Sequence, residues 1–158
     1  MNLIYTSIYT YTYALLYALM EIEIEGQHGW AKKLPTFTIK KGIFKNFTFY
    51  HILMNLIVIL TNSFPILHNY ELTLNGVLYS IYFNTLWFLL EDFLWFVLNP
   101  YYTIKKYNKD ISWHSKQYWI LGIPSHNYFG LSILLSIIYY TNNKLLLNIL
   151  VLLFMFTI

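Results

Sequence analysis

The 158-residue sequence contains no cysteine and no arginine, and only 11% of its residues are charged. The absence of cysteine excludes disulfide bonds, thiolate metal ligands and thiol nucleophiles. The absence of arginine removes the planar guanidinium group that binds phosphate and guanine through two hydrogen bonds, so we expect no nucleic-acid partner. Any metal ion would have to be bound by histidine, carboxylate, amide or backbone oxygen atoms.

The charged residues are too few for the surface of a soluble domain, in which they make up roughly a quarter of the residues. Hydrophobic residues account for 58% of the chain and aromatic residues for 21%. Because a spanning helix needs about 20 apolar residues, this length suits four or five spans joined by short loops. We therefore predict an all-α integral membrane bundle, a single multi-pass transmembrane domain over residues 1–158, with membrane lipid around it.

Four apolar segments predict spanning helices, and a fifth segment is shorter. The four spans are expected at residues 3–20, 48–67, 77–98 and 128–140. Residues 145–158 would form a fifth span only if this short helix is tilted or the bilayer is thinned. Residues 118–123 are apolar but interrupted by Gly122 and Pro124, so we expect them to be half inserted or interfacial.

Lysines are concentrated in two of the predicted loops. Five lysines lie between the first and second spans and four lie between the third and fourth, whereas the loop between the second and third has none. Basic loops remain in the cytoplasm by the positive-inside rule. The pattern predicts a cell-membrane protein with its N-terminus outside and with the loops 21–47 and 99–127 in the cytoplasm.

The third predicted span contains two adjacent carboxylates, Glu91 and Asp92, in an otherwise apolar run. An acidic residue near the centre of a spanning helix costs about 2.5 to 3.5 kcal/mol on insertion scales. The two side chains are about 100° apart around the helix axis, so both can edge one cleft. We predict a cytoplasm-facing pocket in which Glu91 or Asp92 is a catalytic base or metal ligand, and which Asn84, Trp87 and Trp95 line.

Further side chains with metal-ligand chemistry lie in the loops on the same side. If the first helix continues for two turns, Glu21, Glu25 and His28 share a face, whereas an extended segment would align the three glutamates instead. A divalent Zn, Mn or Fe ion suits such oxygen and imidazole ligands. The candidate ligands, of which a subset would bind the metal, are Glu21, Glu25, His28, Glu91, His114 and His126. The established metal-site and hydrolase spacings and a phosphate-binding loop are absent from the sequence.

Three segments carry a recognisable pattern: EGQHGWAKKLPT at residues 25–36, EDFLWFVLNP at residues 91–100 and WHSK at residues 113–116. They resemble segments of an uncharacterised family of small prokaryotic polytopic membrane proteins. The resemblance covers about residues 21–130. It implies a polytopic membrane protein and carries no implication about activity.

Three functions remain open from the sequence. The first is a metal- or acid/base-dependent enzyme that acts on a lipid or a membrane-dissolved substrate. The second is transport of protons, ions or a small solute, a use to which intramembrane acids are often put. The third is a structural or partner-binding role, in which Glu91 or Asp92 pairs with His114, a lysine or a tryptophan N–H group and fastens the third span to the loops.

Overall fold

The computed structural model describes residues 2–29, 31–42, 45, 47–70, 72–108 and 118–157. In these ranges the chain forms five α-helices: α1 (Leu3–Glu25), α2 (Phe49–Tyr70), α3 (Leu74–Leu98), α4 (Ser125–Thr141) and α5 (Lys144–Thr157). A single 3-10 turn, Ile104–Lys106, follows α3, and a small antiparallel hairpin of β1 (Trp119–Ile120) and β2 (Ile123–Pro124) precedes α4. The prediction of an all-α fold is confirmed.

Each predicted span coincides with one helix, although the bounds differ. The helix α1 extends past residue 20 to Glu25, and α2 continues through Pro65 to Tyr70. Residues 118–123, for which a half-inserted or interfacial segment is expected, contribute to the hairpin, and their position relative to a membrane stays a prediction. Within the described ranges two helical segments, Phe49–Asn69 and Leu74–Leu98, are long and apolar enough to cross a membrane. Four or five spans therefore stay a prediction.

The central helix is α3, which packs against α1, α2 and α4. Its largest fully buried side chains are Tyr82, Phe83, Trp87 and Phe96. The helix α4 approaches α3 closely at Gly130, where an added Cβ atom would lie 2.9 Å from the Leu89 Cδ2 atom. The missing side chain at that position therefore permits the α3–α4 contact.

The helices α1 and α3 pack directly against each other and run in one direction, whereas α2, which packs against α3, runs in the opposite direction. Near one end of the three helices, the Ser80 hydroxyl donates to the Ser63 hydroxyl at 2.7 Å. At the other end, the Asn99 side-chain amide donates to the Gly26 carbonyl oxygen at 3.2 Å. We call this second end the acidic end, because Glu21, Glu25, Glu91 and Asp92 lie towards it.

Candidate functional site

The last two turns of α1 bring Glu21 and Glu25 onto one face of the helix. The helix ends at Gly26, whose φ of 58° is readily adopted by glycine. Of the two alternatives for this segment, the helical one is therefore correct as far as Glu25. His28 lies beyond the end of the helix, so it is not part of this face.

Glu25 is buried and connects α1 to the beginning of α2. Its Oε1 atom accepts a hydrogen bond from the Ala31 backbone N–H at 2.7 Å and lies 3.5 Å from Nε2 of His51. On the other side of the imidazole ring, Nδ1 of His51 lies 2.6 Å from the Thr48 hydroxyl. The backbone N–H of His51 donates to that same hydroxyl, a pattern typical of helix N-termini. Thr48, His51 and Glu25 therefore form a buried polar chain at the acidic end.

Glu21 of α1 and Glu91 of α3 face each other across the interface of α1, α2 and α3. Tyr17 and Trp87, one helical turn before Glu21 and Glu91, have ring centroids 4.9 Å apart, so the two acidic side chains lie at the same level of the α1–α3 contact. The hydroxyl of Tyr50 in α2 donates to Oε1 of Glu21 at 3.4 Å. Because an ionised carboxylate can only accept, a hydrogen bond between two carboxyl groups requires a proton on one of them. The three-helix interface can therefore hold a proton at this pair.

Two aromatic side chains with buried polar atoms pack next to the carboxyl pair. Tyr17 of α1 and Trp87 of α3 stack edge to face with their ring centroids 4.9 Å apart. Tyr17 is one helical turn before Glu21, and Trp87 is one turn before Glu91. Within the described part of the chain, the Tyr17 hydroxyl, the Trp87 indole N–H and Oε1 of Glu91 are buried without a hydrogen-bond partner.

Further along the same interface, away from the acidic end, lies a network of amide and hydroxyl groups. The Asn84 side-chain amide donates to the Ser63 hydroxyl at 2.8 Å and to the Ser80 carbonyl oxygen at 2.9 Å. Thr10 of α1 donates its hydroxyl to the Asn62 side-chain oxygen at 3.4 Å. The predicted pocket residues Asn84 and Trp87 thus lie at this three-helix interface.

The third predicted pocket residue, Trp95, lies closer to the end of α3. It is buried, and its ring packs against Tyr102 with the centroids 5.2 Å apart. The hydroxyl of Tyr102 donates to the Gln27 carbonyl oxygen at 2.7 Å, which ties the segment after α3 to the segment after α1. Burial and the nearby Glu25 carboxylate raise the pKa of the Tyr102 hydroxyl.

Asp92 faces a different helix from its neighbour Glu91. Its Oδ2 atom lies 3.5 Å from Nε2 of His126 in the first turn of α4, and both side chains are about a third exposed (32% and 40%). Close by, the Asn127 side-chain amide donates to the Tyr107 hydroxyl at 3.2 Å. Burial and the Asp92 carboxylate raise the pKa of that hydroxyl. The two adjacent acids therefore belong to two separate groups of side chains.

The predicted metal ligands are accordingly divided. Glu21, Glu25 and Glu91 lie near one another, and His126 lies beside Asp92, whereas His114 is outside the described residues. Among the residues that the structure describes, no group of three or more histidine, aspartate or glutamate side chains is arranged to hold a metal ion.

Sequence reasoning missed four residues of the three-helix interface: Tyr17, Tyr50, His51 and Asn62. Two of them carried a usable signal, because Tyr17 precedes Glu21 by four residues and therefore shares its helix face. His51 follows Thr48 by three residues at a helix start, which is the spacing of a helix cap. Tyr50 and Asn62 could not be assigned without knowing which face of α2 meets α1.

Comparison with known proteins adds no assignment to this site. No protein-family model matches the chain, and no match was found among curated proteins or among solved structures.

Proposed function

We propose that the protein is a multi-pass integral membrane protein that transfers protons across the α1–α2–α3 interface, either alone or together with a small solute. The observation that carries this proposal is that Glu21, which accepts from the Tyr50 hydroxyl at 3.4 Å, and Glu91 lie at the same level of the packed helices, one turn beyond the stacked Tyr17 and Trp87 rings. Acidic side chains in such positions are costly, face the interior of the bundle and mark proton relays.

The membrane setting is supported by large apolar side chains on the outer surface of the helices. Leu60 and Phe64 in α2 are 70% and 71% exposed, and Phe129 in α4 is 70% exposed. Soluble monomers rarely expose large contiguous apolar patches. Surrounding lipid would cover these side chains on every helix.

The proposed orientation has the acidic end in the cytoplasm. Lys32, Lys33, Lys40 and Lys41 follow α1, and Lys105 and Lys106 follow α3, so both lysine-bearing segments leave the bundle at that end. This arrangement agrees with the positive-inside rule. Protons would then enter or leave the Glu21–Glu91 pair from the cytoplasmic side.

The chemistry of the pair suits reversible proton binding. One proton shared between two carboxyl groups satisfies both without leaving two buried negative charges side by side. When the proton leaves, the second charge must find new stabilisation, which Tyr50, bonded to Glu21, and His51, next to Glu25, could supply from α2. Loading and release of the proton would therefore be coupled to how α2 packs against α1 and α3.

Proton flux in liposomes tests the proposal. The purified protein is reconstituted with a pH-sensitive dye inside the vesicles, and a pH step is applied under a fixed membrane potential. We expect Glu91→Gln to reduce the flux on the order of 100-fold, the size of a typical acid/base contribution. Glu21→Gln should reduce it similarly, because either change removes one member of the pair.

The matched control is Glu23→Gln, which removes an exposed carboxyl group from the same turn of α1. Its flux should equal that of the parent protein. If the parent protein and Glu91→Gln are both folded and inserted and show equal proton flux, the proposal is overturned.

A second candidate function is favoured by Asp92 and His126. A carboxylate 3.5 Å from an imidazole nitrogen, with both side chains partly exposed, is an arrangement that a general base can use on a membrane-dissolved substrate. The Tyr107 hydroxyl accepts from the Asn127 side-chain amide and lies near Asp92, so its O–H group can donate a hydrogen bond to a substrate there. In this case the protein would be an enzyme, and the site could also take a divalent metal.

Elemental analysis and lipid turnover test the second candidate. Stoichiometric Zn, Mn or Fe in the parent that is lost in His126→Gln but kept in His68→Gln would support a metal centre at this position. Conversion of membrane lipids, followed by mass spectrometry and abolished only in His126→Gln, would support catalysis. A metal-free protein that leaves every lipid unchanged would exclude both roles.

A further inference from the structure

Five buried polar atoms without a protein partner follow one another along the α1–α2–α3 interface. They belong to residues of all three helices, and, apart from the approach of the Glu91 carboxyl group to Glu21, none has a hydrogen-bond partner among the described residues. In order towards the acidic end they are the Asn62 side-chain N–H, Asn84 Oδ1, the Trp87 indole N–H, the Tyr17 hydroxyl and Glu91 Oε1.

The positions of these atoms form a row. Asn84, Trp87 and Glu91 are at i, i+3 and i+7 of α3, so they share one face and extend over about 10 Å of the helix axis. Tyr17 of α1 contacts the Trp87 ring from the opposite side of the interface. Asn62 of α2 is next to Ser63, which is hydrogen bonded to Asn84.

Because these residues are buried, polar atoms without a hydrogen bond would lower the stability of the fold. The exposed fractions of Asn62, Trp87 and Tyr17 are 1%, 1% and 7%. A buried donor or acceptor that forms no hydrogen bond keeps the whole cost of its desolvation, so several of them in one interface would strongly destabilise the packing. Lipid tails cannot satisfy these atoms, because they neither donate nor accept hydrogen bonds.

The chemical types of the atoms match those that bind water. Two are donors, the amide of Asn62 and the indole of Trp87, and one, Asn84 Oδ1, is an acceptor. The Tyr17 hydroxyl can do both, and Glu91 accepts when ionised and donates when protonated. Buried water typically makes about three hydrogen bonds to such groups.

We infer that a row of ordered water molecules occupies the α1–α2–α3 interface from Asn62 and Asn84 to Glu91 and forms the proton path to the carboxyl pair. The water row follows from the unpartnered atoms alone, whereas its role as a proton path rests on the proposed function. A proton can move along hydrogen-bonded water without any heavy atom travelling the whole distance.

The composition of the row also specifies what would pass along it. Between Asn62 and Trp87 the described residues contribute amide, hydroxyl and indole groups, and a carboxyl group is reached only at Glu91. A dehydrated metal cation would need several oxygen ligands at successive positions. The row is therefore suited to protons rather than to metal cations.

Radiolytic labelling in detergent micelles tests the water row directly. A brief X-ray pulse converts bound water to hydroxyl radicals, which modify adjacent side chains even when bulk solvent cannot reach them, and mass spectrometry locates the modification. We expect rapid modification of Tyr17 and Trp87. The control is Tyr82, a buried tyrosine (0% exposed, against 7% for Tyr17) whose hydroxyl donates to the Leu146 carbonyl oxygen at 3.1 Å.

Modification of Tyr17 well above that of Tyr82 would support the inference, and modification of both at the same low rate would overturn it. This comparison uses the parent protein, so it does not depend on the folding of a variant. In Asn84→Leu, which removes one anchor of the row, modification of Trp87 should decrease. In Asn75→Leu, an exposed position on the same helix, it should not change.

Proton flux separates this inference from the proposed function. If Asn84→Leu and Glu91→Gln both abolish the flux, the row is the path to the carboxyl pair. If Glu91→Gln abolishes the flux and Asn84→Leu leaves it intact, the path role is wrong and the function stands. If neither variant changes the flux, the proposed function fails, and the labelling result alone decides whether the water row exists.

Discussion

Asn99 shows how one buried side chain joins the two segments that leave the acidic end. It is fully buried, its amide N–H group donates to the Gly26 carbonyl oxygen, and its side-chain oxygen accepts from the Tyr101 backbone N–H at 3.0 Å. The first hydrogen bond joins Asn99 to the residue that follows α1, and the second stabilises the turn that follows α3. The residue therefore holds the end of α1 level with the end of α3.

We predict that Asn99→Ala destabilises the protein by about 1–3 kcal/mol, the cost of leaving buried backbone groups unsatisfied. The measurement is the midpoint of thermal unfolding in detergent. Asn69→Ala is the control, because Asn69 donates a comparable hydrogen bond to the Pro65 carbonyl oxygen on the exposed side of α2. That change should alter stability by less than about 0.5 kcal/mol. Equal losses in the two variants would contradict the anchoring role of Asn99.

At the scale of the helices, the contact between α3 and α4 depends on Gly130. A Cβ atom at this position would lie 2.9 Å from Cδ2 and 3.1 Å from Cδ1 of Leu89. Small residues permit close approach of helix backbones in membranes, where packing rather than water exclusion drives association. The same contact positions the first turn of α4, and with it His126, beside Asp92.

We predict opposite effects of Gly130→Ala in two backgrounds. In the parent protein the new methyl group displaces Leu89, and overpacking of this kind typically costs about 1–3 kcal/mol. In a Leu89→Ala background that obstacle is gone, and the higher helix propensity of alanine should stabilise the protein by roughly 0.5–1 kcal/mol. A double-mutant cycle on thermal stability measures the difference. Additive effects would show that Leu89 and Gly130 are not in contact.

The helices could be predicted from the sequence because each is a long apolar run between polar segments. Two features of the site could not be predicted from the sequence. The sequence places Glu91 next to Asp92, but only the packing shows that α1 covers one of these side chains and α4 the other. The conformation of residues 21–25 could not be predicted either, because alternating glutamate and isoleucine suits a strand as well as a helix.

For the molecule as a whole, the positions of the loops give a direct test of orientation. The segments that follow α1 and α3 lie at the acidic end, whereas the α2–α3 and α4–α5 connections lie at the other end. Because the chain contains no cysteine, single introduced cysteines can be labelled without background. Exposed positions are available at both ends, including Lys40, Lys105, Leu72 and Asn142.

We predict that Leu72→Cys and Asn142→Cys react with a membrane-impermeant maleimide in intact cells. Lys40→Cys and Lys105→Cys should react only after the membrane is permeabilised, since both lie in segments proposed to be cytoplasmic. The extent of labelling is read from the mass of the purified protein. Reaction of all four positions in intact cells, or of only the two lysine positions, would contradict the proposed topology.

The pairing of Glu21 with Glu91 also bears on how the protein is made. A helix carrying Glu91 enters a bilayer at a cost of about 2.5 to 3.5 kcal/mol when it enters alone. Synthesis from the N-terminus produces α1 and α2 before α3, so the partner carboxyl group and Tyr50 are already present when α3 arrives. In the proposed membrane setting, α1 and α2 would therefore be inserted first. The helix α3 would then insert against them, with partners for Glu91 already in place.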